Sequence, residues 1–302
     1  MEFFVDRFGR FIRRDVPLAG FTTLGIGGPA ELLAEVDSIE DFTALVGAAS
    51  LAKVSITILG EGSNLLIGDG GLAGLVVINR CCRIWEVESE VLAEAGAKLN
   101  DLVDFTVDHG LAGLEKMAGI PGTVGGAVIG NAGAYGQSIS AGLSRVTLLG
   151  ETGAVFDQEP VELDFGYRTS RLKSSTDIVL RTAFRLPSGS ATQLRKSADE
   201  VLAQRAAKLP TDDKSAGSYF KNIEDSAMLH GKMPAGKLLE EAGVKSFRVG
   251  QAAVSDKHAN VIVNLGGATA AEVRQLADQM KSAVKAKFGI ELEEEVRFLG
   301  KP

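Results

Sequence analysis

Four glycine-dense segments in the first half constrain this chain more than any other feature of it. They are Thr23-Leu-Gly-Ile-Gly-Gly28, Leu59-Gly-Glu-Gly-Ser-Asn-Leu-Leu66, Gly119-Ile-Pro-Gly-Thr-Val-Gly-Gly126 and Gly130-Asn-Ala-Gly-Ala-Tyr-Gly136. Glycine is needed where φ is positive or where backbone must come close to another group, and it weakens helix and strand interiors. These runs therefore read as joins between short elements. They also leave backbone N–H groups unobstructed by side chains, and Ser63, Asn64, Thr123 and Asn131 add short polar groups. Successive exposed N–H groups make concavities that take anions, above all pyrophosphate. The pattern points to a dinucleotide held by backbone rather than by Lys or Arg. A tight turn explains any one of these glycines; it does not explain four clusters.

The common dinucleotide and nucleotide signatures do not fit. No G-x-G-x-x-G follows the first strand with an acidic residue about 20 positions on, and there is no G-x-x-x-x-G-K-[ST]. At 302 residues the chain is expected to form two or three lobes. A net charge of -7 lacks the basic footprint of a nucleic-acid binder. Cys81 and Cys82 are neighbours whose disulfide would be strained, so two reduced thiols and a reducing compartment are expected. No Cys/His cluster suggests a metal. The opening MEFFVDRFGRFIRR, with Arg7, Arg10, Arg13 and Arg14, lacks the apolar run of a signal peptide, and no stretch reaches the length of a membrane span. The expectation is a cytoplasmic protein without membrane insertion or an evident obligate protein partner.

Local signals place the elements. Ser38-Ile-Glu-Asp41 opens a helix to about Ala49. Ser55–Leu59 and Leu75–Ile78 read as strands, and Leu99–His109 as a helix ended by Gly110. Arg145–Leu149 and Asp177–Leu186 read as strands. Pro187-Ser-Gly-Ser190 is a joint. Thr192–Ala207 reads as a helix ending near Lys208. Thr269, with Glu272 three positions on, caps a helix carrying Val273, Leu276, Met280 and Val284 and closed by Gly289. Leu292–Leu299 reads as a strand.

Gly60-Glu-Gly-Ser-Asn64, Ile120-Pro-Gly-Thr-Val-Gly-Gly-Ala127 and Asn131-Ala-Gly-Ala-Tyr-Gly136 resemble the FAD-binding half of the UDP-N-acetylenolpyruvoylglucosamine reductase (MurB) family. The likeness runs from about Phe21 to Gly300. It implies an α+β fold: a two-lobed FAD-binding domain of the PCMH type, in residues 1–78 and 79–189, followed by a smaller α+β substrate-binding domain in 190–302. It assigns cofactor contacts to Gly60, Glu61, Gly62, Ser63, Asn64, Ile120, Pro121, Gly122, Thr123, Gly125, Gly126, Ala127, Asn131 and Gly133. His109, at a helix end, and the two cysteines lie outside these loops, so non-covalent FAD is expected.

The second half carries the rest of the resemblance. Arg168, in Gly166-Tyr-Arg-Thr-Ser170, matches the family's catalytic arginine; a guanidinium holds a carboxylate bidentately and stays charged. Ser218, in Ser215-Ala-Gly-Ser-Tyr-Phe-Lys-Asn222, matches its proton-donating serine, and Asn222 and Lys208 match substrate-phosphate contacts. Leu292-Glu-Glu-Glu-Val-Arg-Phe298 resembles the last strand, whose catalytic glutamate would be Glu295. Strand alternation alone would pick Glu294, the carboxylate on the apolar face. In Ser255-Asp-Lys-His-Ala-Asn260, His258 reads as a structural hydrogen-bonding group. The interval between Ser170 and Lys208 is short and has no tyrosine, which resembles the shorter class without the tyrosine-loop insertion.

The resemblance implies NADPH-dependent reduction of a UDP-sugar enolpyruvyl ether in peptidoglycan precursor synthesis, and hence a part in cell-wall biogenesis, cell shape and division. Hydride would pass from FAD to the enol-ether methylene carbon, with the proton from Ser218. Two rivals share some of these features. An FAD-dependent oxidase of alcohols or sugars would keep the glycine loops without needing Arg168, Ser218 and Glu295 together. A non-catalytic nucleotide-sugar-binding protein would be colourless.

Overall fold

A computed structural model describes residues 8–9, 12–224 and 231–301. Arg7 and Arg10 of the opening segment lie outside them. The chain forms two compact units, each built from three stretches: Met1–Arg14, Leu32–Gly60 and Gly74–Arg205 in one, and Asp15–Glu31, Glu61–Ala73 and Ala206–Pro302 in the other. Among the described residues no helix is long and apolar enough to cross a membrane.

The first unit holds two sheets. One orders its strands Ile12–Pro17, Pro29–Val36, Leu72–Asn79, Ile56–Leu59, with the last two parallel. Its core gathers Leu32, Ala34, Leu75 and Val77 under the apolar side of helix α1, Ile39–Leu51. Ser38 starts α1 by accepting the Asp41 N–H at 3.1 Å, which satisfies one of the donors a helix leaves open at its start.

The second sheet of this unit is antiparallel throughout, in the order Val155–Gln158, Leu143–Leu149, Ile178–Phe184, Glu90–Glu94, Ile84–Val87. Its core is shared with helix α2, Leu99–Asp108, and the short helix α3, Val124–Gly130. Helix α2 buries Leu99, Leu102, Val103 and Val107, and Gly110 beyond it takes φ +67°. Helix α4, Ala191–Lys208, adds Leu194, Ala198 and Val201 to the same core. That narrow stripe ties the helix to the first unit as far as Arg205, past the Pro187–Ser190 joint.

The second unit is a four-stranded antiparallel sheet, Ser215–Ser218, Val261–Asn264, Ala252–Val254, Arg248–Val249, with helices α5, Ala235–Glu241, and α6, Ala270–Phe288. Val273, Leu276, Met280 and Val284 of α6 are fully buried, as their spacing predicts; each contributes ~1.5–3 kcal/mol by leaving water. Thr269 and Glu272 form the reciprocal capping pair, and Gly289 ends the helix at φ +70°. The Asp69 carboxylate also accepts the Ala270 and Ala271 N–H groups, at 2.8 and 3.1 Å.

The strand expected over Leu292–Leu299 is confined to Arg297–Leu299, which pairs in parallel with Leu65–Ile67. Residues before it are irregular. The Tyr219 carbonyl accepts both the Glu295 and Val296 N–H groups, and Glu293 offers its own carbonyl to Lys221. Leu292 and Val296 are buried four positions apart rather than on alternate residues, and the Glu294 carboxylate pairs with Lys281.

Candidate active site

In the first unit the arginine motif is fastened to a glycine loop by three hydrogen bonds. Asn131 Nδ2 donates to the Gly166 carbonyl at 2.8 Å, Arg168 Nη1 to that of Gly133 at 2.9 Å, and Ser170 Oγ to that of Ile129 at 2.7 Å. Gly166 and Thr169 close the loop by exchanging backbone bonds. Arg168 sits at φ +54°, a conformation that costs ~1–3 kcal/mol for a residue with a side chain and concentrates at functional sites. Its guanidinium lies 5.4 Å from the Tyr167 ring centroid. Arg205, half-buried, donates from Nε to the Gly119 carbonyl at 3.1 Å. Burial draws its pKa below the ordinary value, Tyr135 opposes the shift and Arg168 adds to it.

The other cofactor candidates of this unit surround α3. A side chain at Gly60 would come 2.4 Å from Thr123 Oγ1, so these two loops touch only because Gly60 has none. Thr123 caps α3 by accepting the Gly126 N–H at 3.3 Å. The Ala127 amide closes the helix turn onto Thr123. Gly122 takes φ +119°. Ile120 accepts from Asn100 Nδ2 at 3.1 Å, and Pro121 beside it is exposed. The amides here are less open than the glycine pattern implies: Val124 and Gly125 donate to the Ala97 and Ala95 carbonyls. Gly125 is glycine because a Cβ would stand 2.9 Å from that of Ala95.

In the second unit Ser218 ends its strand and, with Asn222, lines a cleft of about 580 Å³ that Lys237, Lys257, His258 and Asn260 also border. Asn222 Oδ1 accepts the Ala235 N–H at 3.1 Å. Glu295 donates its N–H to the Tyr219 carbonyl at 2.8 Å, one residue past Ser218. Its own carbonyl accepts Asn64 Nδ2 at 3.1 Å, and Asn64 in turn accepts the Arg297 N–H at 3.1 Å. Glu61, Gly62 and Ser63 make the turn before Asn64, where a side chain on Gly62 would lie 2.3 Å from the Phe21 carbonyl oxygen. This unit thus joins Ser218, Glu295 and Asn64. Lys208 is exposed at the end of α4 and does not line the cleft. His258 accepts the Asn260 N–H on Nδ1 at 3.2 Å.

Sequence reasoning passed over Asn260. It is 2% exposed and bonds the two residues that follow Ser218. The signal was available: a polar residue opening the buried run Val-Ile-Val has to find partners. Lys237 and Lys257, both lining the cleft, had no such signal.

Two family models match. The FAD binding domain covers residues 30–157, and the C-terminal domain of UDP-N-acetylenolpyruvoylglucosamine reductase covers 209–299. The reductase of Pediococcus pentosaceus is 40% identical over 285 residues, 94% of this chain and 93% of that one. The reductase of Solibacter usitatus is 38% identical, with 96% and 97% covered. The crystal structure of the enzyme from Thermus caldophilus matches with a TM-score of 0.81 at 34% identity, over 96% of this chain and all of that one. The residues present fit a flavin dinucleotide. Asn131 Oδ1 is buried with no partner among the described residues, and Gly126 leaves the first turn of α3 exposed. Being so similar to these reductases along nearly all of its length, the chain belongs to the UDP-N-acetylenolpyruvoylglucosamine reductase family of FAD-binding oxidoreductases.

Proposed function

We propose that the chain converts the enolpyruvyl ether of UDP-N-acetylglucosamine enolpyruvate to UDP-N-acetylmuramate, with NADPH as reductant, in the cytoplasm. In this reading residues 1–78 and 79–189 are the two lobes that hold non-covalent FAD and 190–302 takes the UDP-sugar. The chemistry that FAD supplies when bound is hydride transfer, from NADPH to the methylene carbon of the enolpyruvyl group. The loops at Gly60–Asn64, Ile120–Ala127 and Asn131–Gly133 hold it.

Negative charge then develops at the neighbouring carbon and spreads into the carboxylate, where stabilisation helps most. Arg168 grips that carboxylate; its bond to Gly133 orients the guanidinium before substrate arrives. Ser218 delivers the proton that completes the reduction, since an enolate is basic enough for a positioned hydroxyl to serve. Glu295 supplies the third catalytic group; Asn222 holds the diphosphate from the cleft, and Lys208, exposed outside it, is a diphosphate contact on the motif alone. The observation that supports the reading is the 2.8 Å bond from the Glu295 N–H to the carbonyl of Tyr219, the residue that follows Ser218.

Stopped-flow absorbance tests it. Ser218→Ala is expected to leave flavin reduction by NADPH intact and to slow reoxidation by the enolpyruvyl nucleotide sugar ~10²–10⁴-fold. Equal loss in both half-reactions would remove Ser218 from the role of proton donor.

A further inference from the structure

The strand that carries Ser218 pairs irregularly with its neighbour. Its register against Val261–Asn264 shifts between Ser215 and Ser218, and Gly217 in the gap takes φ +73° with nothing within 4 Å of where a Cβ would stand. An irregular ladder re-aims the side chain at the strand end, and a glycine there restricts the backbone less than any other residue would. A proton donor tolerates little of that, because a misplacement of about 1 Å costs ~10²-fold in rate.

Asn260 makes up the deficit. Its backbone carbonyl accepts the Tyr219 N–H at 2.8 Å. Its side-chain Oδ1 accepts the Phe220 N–H at 2.9 Å, and its Nδ2 donates to the Phe220 carbonyl at 2.8 Å. One residue thus makes three bonds to the two residues after Ser218, in a buried place where water does not compete. The Phe220 ring is itself 1% exposed, which anchors the far end. Asn260 is held in turn by His258, whose Nδ1 accepts its N–H.

We propose that Asn260 is a positioning residue for Ser218, clamping Tyr219 and Phe220 so that the serine hydroxyl is presented into the cleft in one place, with His258 holding the clamp. The proposal rests on the reading of Ser218 as proton donor. It adds that the serine's effectiveness is set by a side chain whose own polar atoms are bonded to the Phe220 backbone.

The test compares both half-reactions in the FAD-loaded enzyme for Asn260→Ala, Ser218→Ala and the double variant. Asn260→Ala is expected to slow reoxidation by the enolpyruvyl nucleotide sugar ~10²-fold with flavin reduction unchanged. In the Ser218→Ala background the same change should add almost nothing, because coupled residues are not additive. An equal loss in both backgrounds, or no loss in either, overturns the positioning role. An unslowed Ser218→Ala overturns the donor reading instead. Should Asn260→Ala not fold, His258→Leu and His258→Asn decide. Leucine removes the acceptor and should slow reoxidation about fivefold, the factor of one hydrogen bond. Asparagine puts an oxygen near the place of Nδ1 and should restore the rate. Equal rates for the two variants would also overturn the proposal.

Discussion

Arg168 shows how much depends on one side chain's geometry. It is held in a left-handed conformation, and its loop is fastened through Asn131, Ser170 and its own Nη1. Lysine keeps the charge but loses the planar fork. Arg168→Lys is therefore expected to lower kcat/KM for the enolpyruvyl substrate ~10–10²-fold, the worth of one charge-assisted bond, measured by steady-state kinetics. His258 offers a second test. Burial pulls its pKa below the ordinary value, Glu240 opposes this and Lys245 reinforces it, while Lys237, Glu241 and Lys257 also border its cleft. The unfolded chain then binds a proton before the folded one does as pH falls. Stability should decline below about pH 6.5, and His258→Asn should remove that part of the slope in denaturant titrations. The candidate residues Arg168, Ser218 and Glu295 were put forward by motifs. Glu295 was named by its motif, against an alternation that favoured Glu294, and Glu294 is paired with Lys281. Asn260 carried a local signal of burial, but the identity of its partners, backbone groups 40 residues away, is encoded in no local pattern.

Helices with complete end signals were readable element by element. Thr269, Glu272 and Gly289 bracket α6, and all three take the predicted parts. The second cap was not readable, since Asp69 reaches the neighbouring Ala270 and Ala271 amides of the same helix end from 201 and 202 positions away in sequence. Thr269→Ala is expected to cost ~1 kcal/mol, and Asp69→Ala a comparable amount. Because the two carboxyl and hydroxyl groups serve one helix end, the double variant should depart from additivity in urea unfolding. The irregular Leu292–Val296 stretch defeated a period-two reading for a physical reason. Its burial follows where Leu292 and Val296 meet the core, while its backbone bonds go to Tyr219 and Lys221 rather than to a strand partner. The glycine loops were legible as loops, but part of their glycine serves packing, as at Gly62 against Phe21 and Gly125 against Ala95.

At the scale of the molecule, the flavin is a folding ligand as well as a cofactor. The proposed cradle includes the buried Asn131 Oδ1, which lacks a partner among the described residues. Free FAD at about 100 times its Kd should raise unfolding free energy by ~2.7 kcal/mol, seen as a concentration-dependent Tm. The same scale brings out a consequence of the parallel pair formed by Leu65–Ile67 and Arg297–Leu299. Asn64 and Glu295, bonded to each other, stand 231 positions apart. While the ribosome is still making the intervening chain, the early edge has no neighbour to bond. Its loop therefore has to wait, through most of the polypeptide's birth, for the residues that hold it in shape. A chaperone meets this chain with one apolar strand edge bare until translation has passed residue 299.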